Sequence, residues 1–289
     1  MTKKEIQQRV LKDGKPLALA KFEWNSKTSE FSSKQPWLVL DFSGISGITF
    51  NTSHDCIFWA DYGCTFNTDS GCTFNTLDKC TFDTGSYCTF RTGLKCTFTT
   101  GCNCIFWADY GCTFNTGSSC TFKTLDKCTF DTSSYCTFKT GSHCTFKTGH
   151  YCTFKTCYAC TFHTCFGCTF NTDSSCTFDT DFGCTFNTGS DCTFNAGYKC
   201  TFNTGSACTW VVEGKEYAFP PLFIQGSVWP ANVWRPGTLR IGCEEHTFDY
   251  WLKNAKEIVV EHKAPDKYYE YLGLIKVAYE WAKLKGWDK

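Results

Sequence analysis

A mainly β chain wound into a parallel β-solenoid is the fold this sequence predicts, and three observations predict it. An eight-residue phrase, Cys-Thr-Phe-Asn-Thr-Gly-Ser-x, repeats with its cysteine at every eighth position from Cys56 to Cys208, which puts 20 cysteines in register. Within the phrase, positions 1, 3 and 5 alternate with positions 2 and 4, the period of a strand with one face buried. A fixed short period builds an array that grows in one dimension, so repeat number sets its length.

The occupants of each position show which face is inside. Position 3 is Phe from Phe42 through Phe202 and becomes Trp210 only at the end, whereas position 4 accepts Asn67, Asp83, Arg91, Trp107, Lys123 and His163. A slot that keeps its aromatic is core, and one that takes either charge is surface. Position 5 holds Thr or, at Gly44, Ala60, Ala108, Ala196 and Val212, another compact residue. It reads as an inward slot near a corner, where a hydroxyl can bond turn backbone. Positions 6 to 8, typically Gly-Ser-x, supply the turn. The beat extends backward through Ile48 and Leu40, which hold the cysteine slot while Phe50 and Phe42 keep the aromatic one, for 22 phrases in all.

Coil size is constrained by an internal copy. Residues 56–63 reappear as 104–111, and Leu77-Asp78-Lys79 reappears as Leu125-Asp126-Lys127, each displaced by 48 residues. Two phrases per coil and three per coil both keep that copy in register. Two is preferred, because the phenylalanines of facing strands then meet across the ~10 Å of packed sheets. A rod of two-phrase coils would span about 50 Å and one of three-phrase coils about 35 Å.

Three segments follow. Residues 1–39 read as an N-terminal cap, with Thr2 and Glu5 as a capping box, Ile6, Val10 and Leu11 on one face of a short helix ended by Gly14, and a loose hairpin about residues 25–29. Residues 40–208 are the solenoid. Residues 209–289 form a small α+β module. It starts with a hairpin centred on Gly214 and a proline-rich run with Trp229 and Trp234. A strand Thr238-Leu239-Arg240-Ile241 precedes a helix capped by Thr247, and Pro265 opens a second helix. One stripe of that last helix, Leu274, Val277, Trp281 and Leu284, lies outside its main apolar face and marks it for docking on the solenoid end or on another chain.

Charge names no partner. Lys+Arg and Asp+Glu both total 28, and the array mixes the two signs, unlike a strongly basic nucleic-acid binder. The opening residues lack the apolar core of a signal peptide, and no stretch is apolar enough to span a bilayer, so a reducing cytoplasm, free thiols and no membrane are expected. The cysteine ladder reads as a column of small buried groups and not as chemistry, since Leu40 and Ile48 replace it. Cys157, Cys165 and His163 fall at opposite edges of a two-phrase coil, and Cys243-Glu244-Glu245-His246 has metal-like spacing without a second pair. No metal and no cofactor are expected, and neither a nucleophile elbow nor a phosphate loop is present.

Taking every second phrase sorts position 4 into two faces. One carries Trp59, Arg91, Trp107, Lys123, Lys139 and Lys155 without an acid, and it is the candidate contact surface. The Leu-Val-Leu-Asp-Phe-Ser-Gly lead-in, the octads and the Ile241-Gly242-Cys243-Glu244-Glu245-His246-Thr247 segment resemble octapeptide-repeat proteins of tailed phages and prophages. That resemblance implies a phage origin, a location in the host cytoplasm and a solenoid, and it carries no activity over. The expected function is therefore that of a non-enzymatic rod that meets a protein partner or assembles with itself, including through the C-terminal helices. The alternative is nucleic-acid association along the Arg91–Lys155 stripe.

Overall fold

The computed structural model of the chain describes residues 1–197, 199–212 and 214–289. Each octad forms one short strand, and successive strands go to opposite sheets. Partners on a sheet are therefore 16 residues apart: Phe82 pairs in parallel with Phe66 and Phe98, and Phe90 with Phe74 and Phe106. This register fixes two octads per coil and excludes three. The product is a flattened β-solenoid of about 11 turns, with one sheet of 13 strands and one of 14.

Phenylalanine fills the space between the sheets. Phe122 stacks on Phe106 and Phe138 of its own sheet with centroids 4.8 Å apart. It also meets Phe114 and Phe130 of the opposite sheet edge to face at 5.3 and 5.2 Å. Each interior ring thus uses the two arrangements that the aromatic quadrupole favours, offset stacking along the rod and T-shaped contact across it.

The cysteine slot asks for more than a small apolar group. Cys72 Sγ donates to the carbonyl of Ser70 in its own turn at 3.8 Å and to that of Ser53, one coil earlier, at 3.6 Å. Cys128 repeats the pattern with Asp109 at 3.3 Å. The Ser70 carbonyl already accepts from Asp55 N–H at 3.0 Å, so the weak S–H donor matters for the carbonyl of the earlier coil, which an aliphatic residue would leave without it. Ile48 does occupy this slot on its rung, but Leu40 does not. Leu40 pairs with Phe58, and Phe42 pairs with Ala60, so the first phrase sits two residues out of register. Regular register begins with Phe50, which pairs with Phe66.

The turns divide their demands differently from the way Gly-Ser-x suggests. The residue with positive φ is position 8, in every octad from Asp55 (56°) through Ala207 (54°), and most of these residues are not glycine. Glycine at position 6 answers a packing need instead. A Cβ on Gly85 would lie 2.8 Å from the backbone nitrogen of Ser70, one coil earlier. Ser70 and its equivalents use that space. Ser86 N–H donates to Ser70 Oγ at 3.1 Å, Leu94 N–H to Asp78 Oδ1 at 2.9 Å, and Ser142 N–H to Asp126 Oδ1 at 2.8 Å. Where a Ser, Asp or Cys at position 7 lies beneath a position-6 glycine, its side chain thus ties its turn to the next. Some position-5 threonines bond turn carbonyls as expected, for example Thr172 Oγ1 to Asp173 at 3.3 Å, but the buried hydroxyls of Thr52, Thr76, Thr92, Thr140, Thr148 and Thr180 have no partner among the described residues.

The leader covers the open end and also joins the ladder. Helix α1 (Lys3–Gln7) carries the expected capping box at Thr2 and Glu5. It is shorter than the periodicity suggested, because Val10–Lys12 leaves it to pair antiparallel with residues 38–40. The hairpin of Glu23–Asn25 with Glu30–Ser33 is present, and its second strand is already a parallel rung, with Phe31 paired to Phe50. Antiparallel additions thereby blunt both sheet edges at this end, which is how an array avoids edge-to-edge growth. At the other end Lys215–Tyr217 turns back on Thr209–Val212 to blunt the second sheet, although Glu213 in that turn lies outside the described residues.

The C-terminal module has its own core. Four short antiparallel strands, Leu222–Ile224, Ala231–Val233, Thr238–Ile241 and Glu244–Thr247, pack against α2 (Phe248–Glu261) and α3 (Tyr268–Lys285). Thr247 Oγ1 caps α2 by accepting from Tyr250 N–H at 3.3 Å. Pro265 opens a 3-10 turn, Pro265–Lys267, that leads into α3. The first two strands lie in the stretch read from sequence only as proline-rich.

Candidate functional site

The two-octad coil places all six candidate contact residues on the first sheet. Their rungs run Trp59, Asn75, Arg91, Trp107, Lys123, Lys139, Lys155 and Asn171, each paired directly with the next. The side chains point outward because their neighbours at positions 3 and 5 point in. At ~4.8 Å per rung these groups form one continuous column. The Arg91 guanidinium lies over the Trp107 ring at 5.3 Å, a cation–π contact at an exposed site.

A groove of about 730 Å³ runs beside the middle of this column. Arg91, Trp107, Lys123 and Lys139 form one side, and Leu77 and Leu125 stand exposed on the corner that forms the other. Asp109 also lines it, so the groove combines three cations with one acid.

The opposite face handles its charges differently. On the second sheet Lys147 pairs with Asp131 at 3.4 Å, His163 with Asp179 at 3.3 Å, and Asn195 donates to Asp179 at 2.9 Å. Every one of these contacts joins adjacent rungs. On the first sheet three lysines follow one another, and among the described residues none of the three forms an ion pair. Like charges directly opposite one another on a ladder repel. With Asp83, Asp131 and Asp179 against Lys147 and His163, the second face carries the acids, and the lysine run of the first is left cationic.

The second candidate face is not brought together as one patch. Val277 and Leu284 are exposed, at 59% and 84%. Leu274 is partly buried in the module's own core, and Trp281 packs edge to face on Phe219 and Trp287 at 5.9 and 5.7 Å. Trp281 also borders an open groove of about 470 Å³ shared with Phe202 of the last coil.

Hydrogen bonding along the cysteine column splits its thiols in opposite directions: contacts from the neighbouring thiols pull the pKa of Cys104, Cys128 and Cys152 down. At Cys112, Cys144 and Cys168, hydrogen bonding to the thiols above and below, and then burial, pushes the pKa up. Cys157 and Cys165 lie on opposite edges, and His163 turns to Asp179, so these three make no common site.

Sequence reasoning missed an aromatic strip on the corner that follows the second sheet. His150, Phe166 and Phe182 stack at 4.2 and 5.0 Å, and Tyr135 stacks on Tyr151 at 5.5 Å. Sorting positions 7 and 8 by 16 residues would have aligned them, but those positions were read only as turn.

The solenoid and its cationic face define a class by architecture: a capped, two-sided β-rod with chemically distinct faces. Comparison with family models, curated proteins and solved structures found no match. No helix among the described residues is long and apolar enough to cross a membrane.

Proposed function

We propose that this chain is a non-enzymatic interaction rod, phage-encoded as its octads suggest, whose first face binds an acidic, apolar-bearing segment of a protein partner. The observation that supports this reading is the contrast between faces. Lys123, Lys139 and Lys155 are stacked without acids beside Trp107 and the leucine-lined groove, while the opposite face carries Asp83, Asp131 and Asp179 with Lys147 and His163 set against the last two. A partner carboxylate beside the lysines would relieve their repulsion, and a partner apolar group would cover Trp107, Leu77 and Leu125. A shaft filled by phenylalanine leaves the outer surface as the place for function.

The lysine column also favours a second reading, association with nucleic acid. Asp109 within the groove counts against it, as does the small number of cations, since affinity for a polyanion rises with each phosphate neutralised. Titration of labelled acidic peptide, single-stranded DNA and duplex DNA at low salt separates the two. The proposal expects saturable peptide binding that is lost in Trp107→Ala and Lys139→Glu and kept in Lys147→Glu. Salt-sensitive DNA binding with no peptide binding would establish the second reading in its place. Self-association through Val277 and Leu284 is the remaining contact, and mass in solution tests it. A larger species that Leu284→Glu converts to monomer supports it, and a monomer before substitution removes it.

A further inference from the structure

We propose that Cys243, Glu244 and His262 form a binding site for one zinc-type divalent ion that fastens a strand turn to the end of α2. Gly242, at φ 60°, turns the chain between Thr238–Ile241 and Glu244–Thr247 and leaves Cys243 exposed at the tip. Strand alternation then sends Glu244 and His246 to one side. Glu245 goes to the other, where Arg235 holds it at 2.6 Å. The missing second half of the motif comes from 18 residues downstream: α2 ends at His262, whose N–H bonds the Ile258 carbonyl, and its imidazole reaches the same turn.

The three donor atoms all lie within 4.8 Å of one another. Donors around a single tetrahedral zinc stand roughly 3.5 Å apart, so rotation of the exposed Cys243 side chain is enough to close the set. Thiolate, carboxylate and imidazole together suit zinc or cobalt, whereas calcium and magnesium call for oxygen alone. His246 Nε2 stands 3.0 Å from Glu244 Oε2, and its ring stacks on Tyr250 at 4.1 Å, so the carboxylate is oriented from behind. A cavity of about 20 Å³ adjoins the donors against Trp229, Trp251 and Tyr271, space for one water as a fourth ligand. On binding, the Cys243 thiol gives its proton to solvent as the sulfur–metal bond forms. His262 gives up its hydrogen bond to Glu244, the Nε2 proton passing through solvent to Nδ1, so that the Nε2 lone pair is free for the metal.

Cobalt titration of the intact folded chain tests this, read by thiolate-to-metal absorption and tetrahedral visible bands. One equivalent should bind, and both signals should vanish in Cys243→Ser and in His262→Gln. His246→Gln should weaken binding about 10- to 100-fold, and Cys157→Ser, at an exposed thiol on the shaft, should change nothing. Absence of the thiolate band in the native chain, its survival in Cys243→Ser, or its loss in Cys157→Ser would overturn the assignment. Cys243 is exposed, so its variant decides the matter even if His262→Gln disturbs the fold.

Discussion

Alanine at Gly141 probes the turn-to-turn coupling made where a position-6 glycine lies over a polar position-7 side chain. A methyl group there would overlap Asp126 Oδ1 and stand 3.0 Å from the backbone nitrogen of Asp126 and the carbonyl carbon of Leu125. The carboxylate must then leave the Ser142 N–H that it now accepts at 2.8 Å. Losing a hydrogen bond to a charged group costs about 1.5–3 kcal/mol, and crowding a packed site costs about 1–3 kcal/mol. Gly141→Ala should therefore destabilise by roughly 3–5 kcal/mol. Gly183, at φ 69° with open space around it, should lose only about 1 kcal/mol as alanine, the left-handed penalty alone. Asp126→Ala removes the obstructing carboxylate, so the double variant should be less damaged than the sum of the singles by about 1–2 kcal/mol. Repeat arrays do not unfold in one step, so amide exchange in the coils around residues 126–142 is the appropriate assay. Equal costs at Gly141 and Gly183, or strict additivity of the pair, would refute the packing role assigned to position 6.

Phe122→Ala should cost about 3–5 kcal/mol and Phe122→Leu less, because the ring holds two stacked and two edge-on partners; local amide exchange reads both. Lys139→Glu should leave stability equal or higher at low salt and flatten its salt dependence, since it places an acid between two lysines; a thermal scan across ionic strength checks this. Lys147→Ala, which breaks one exposed pair, should change stability by about 0.5 kcal/mol or less in the same scan.

The coil itself was legible because its signal is repeated and strictly periodic. Phe against variable position 4 sorted inside from outside, and the 48-residue copy limited the coil size. Alternation of faces then placed Trp59 through Lys155 on one sheet. What stayed hidden depends on neighbours 15 to 19 residues away. Gly141 looks like a turn residue in its own octad, and only the coil beneath shows that its role is to clear Asp126. Leu40 matches the cysteine slot by counting, yet Glu30–Ser33 enters the ladder ahead of it and the first rung settles two residues out of step. His262 could not be linked to Cys243 from sequence, because a helix of 14 residues separates them and only its packing against the strands returns its end to the turn.

The most direct measurement is a selection of displayed random peptides on the immobilised chain, with Trp107→Ala/Lys139→Glu as the counter-selection. Binding at the first face predicts recovered peptides that combine acidic with large apolar residues. These should bind the native chain and Lys147→Glu alike and fail on the doubly substituted chain. Peptides without that composition, or with equal affinity for the doubly substituted chain, would contradict the assignment of the Arg91–Lys155 column as the working surface of the rod.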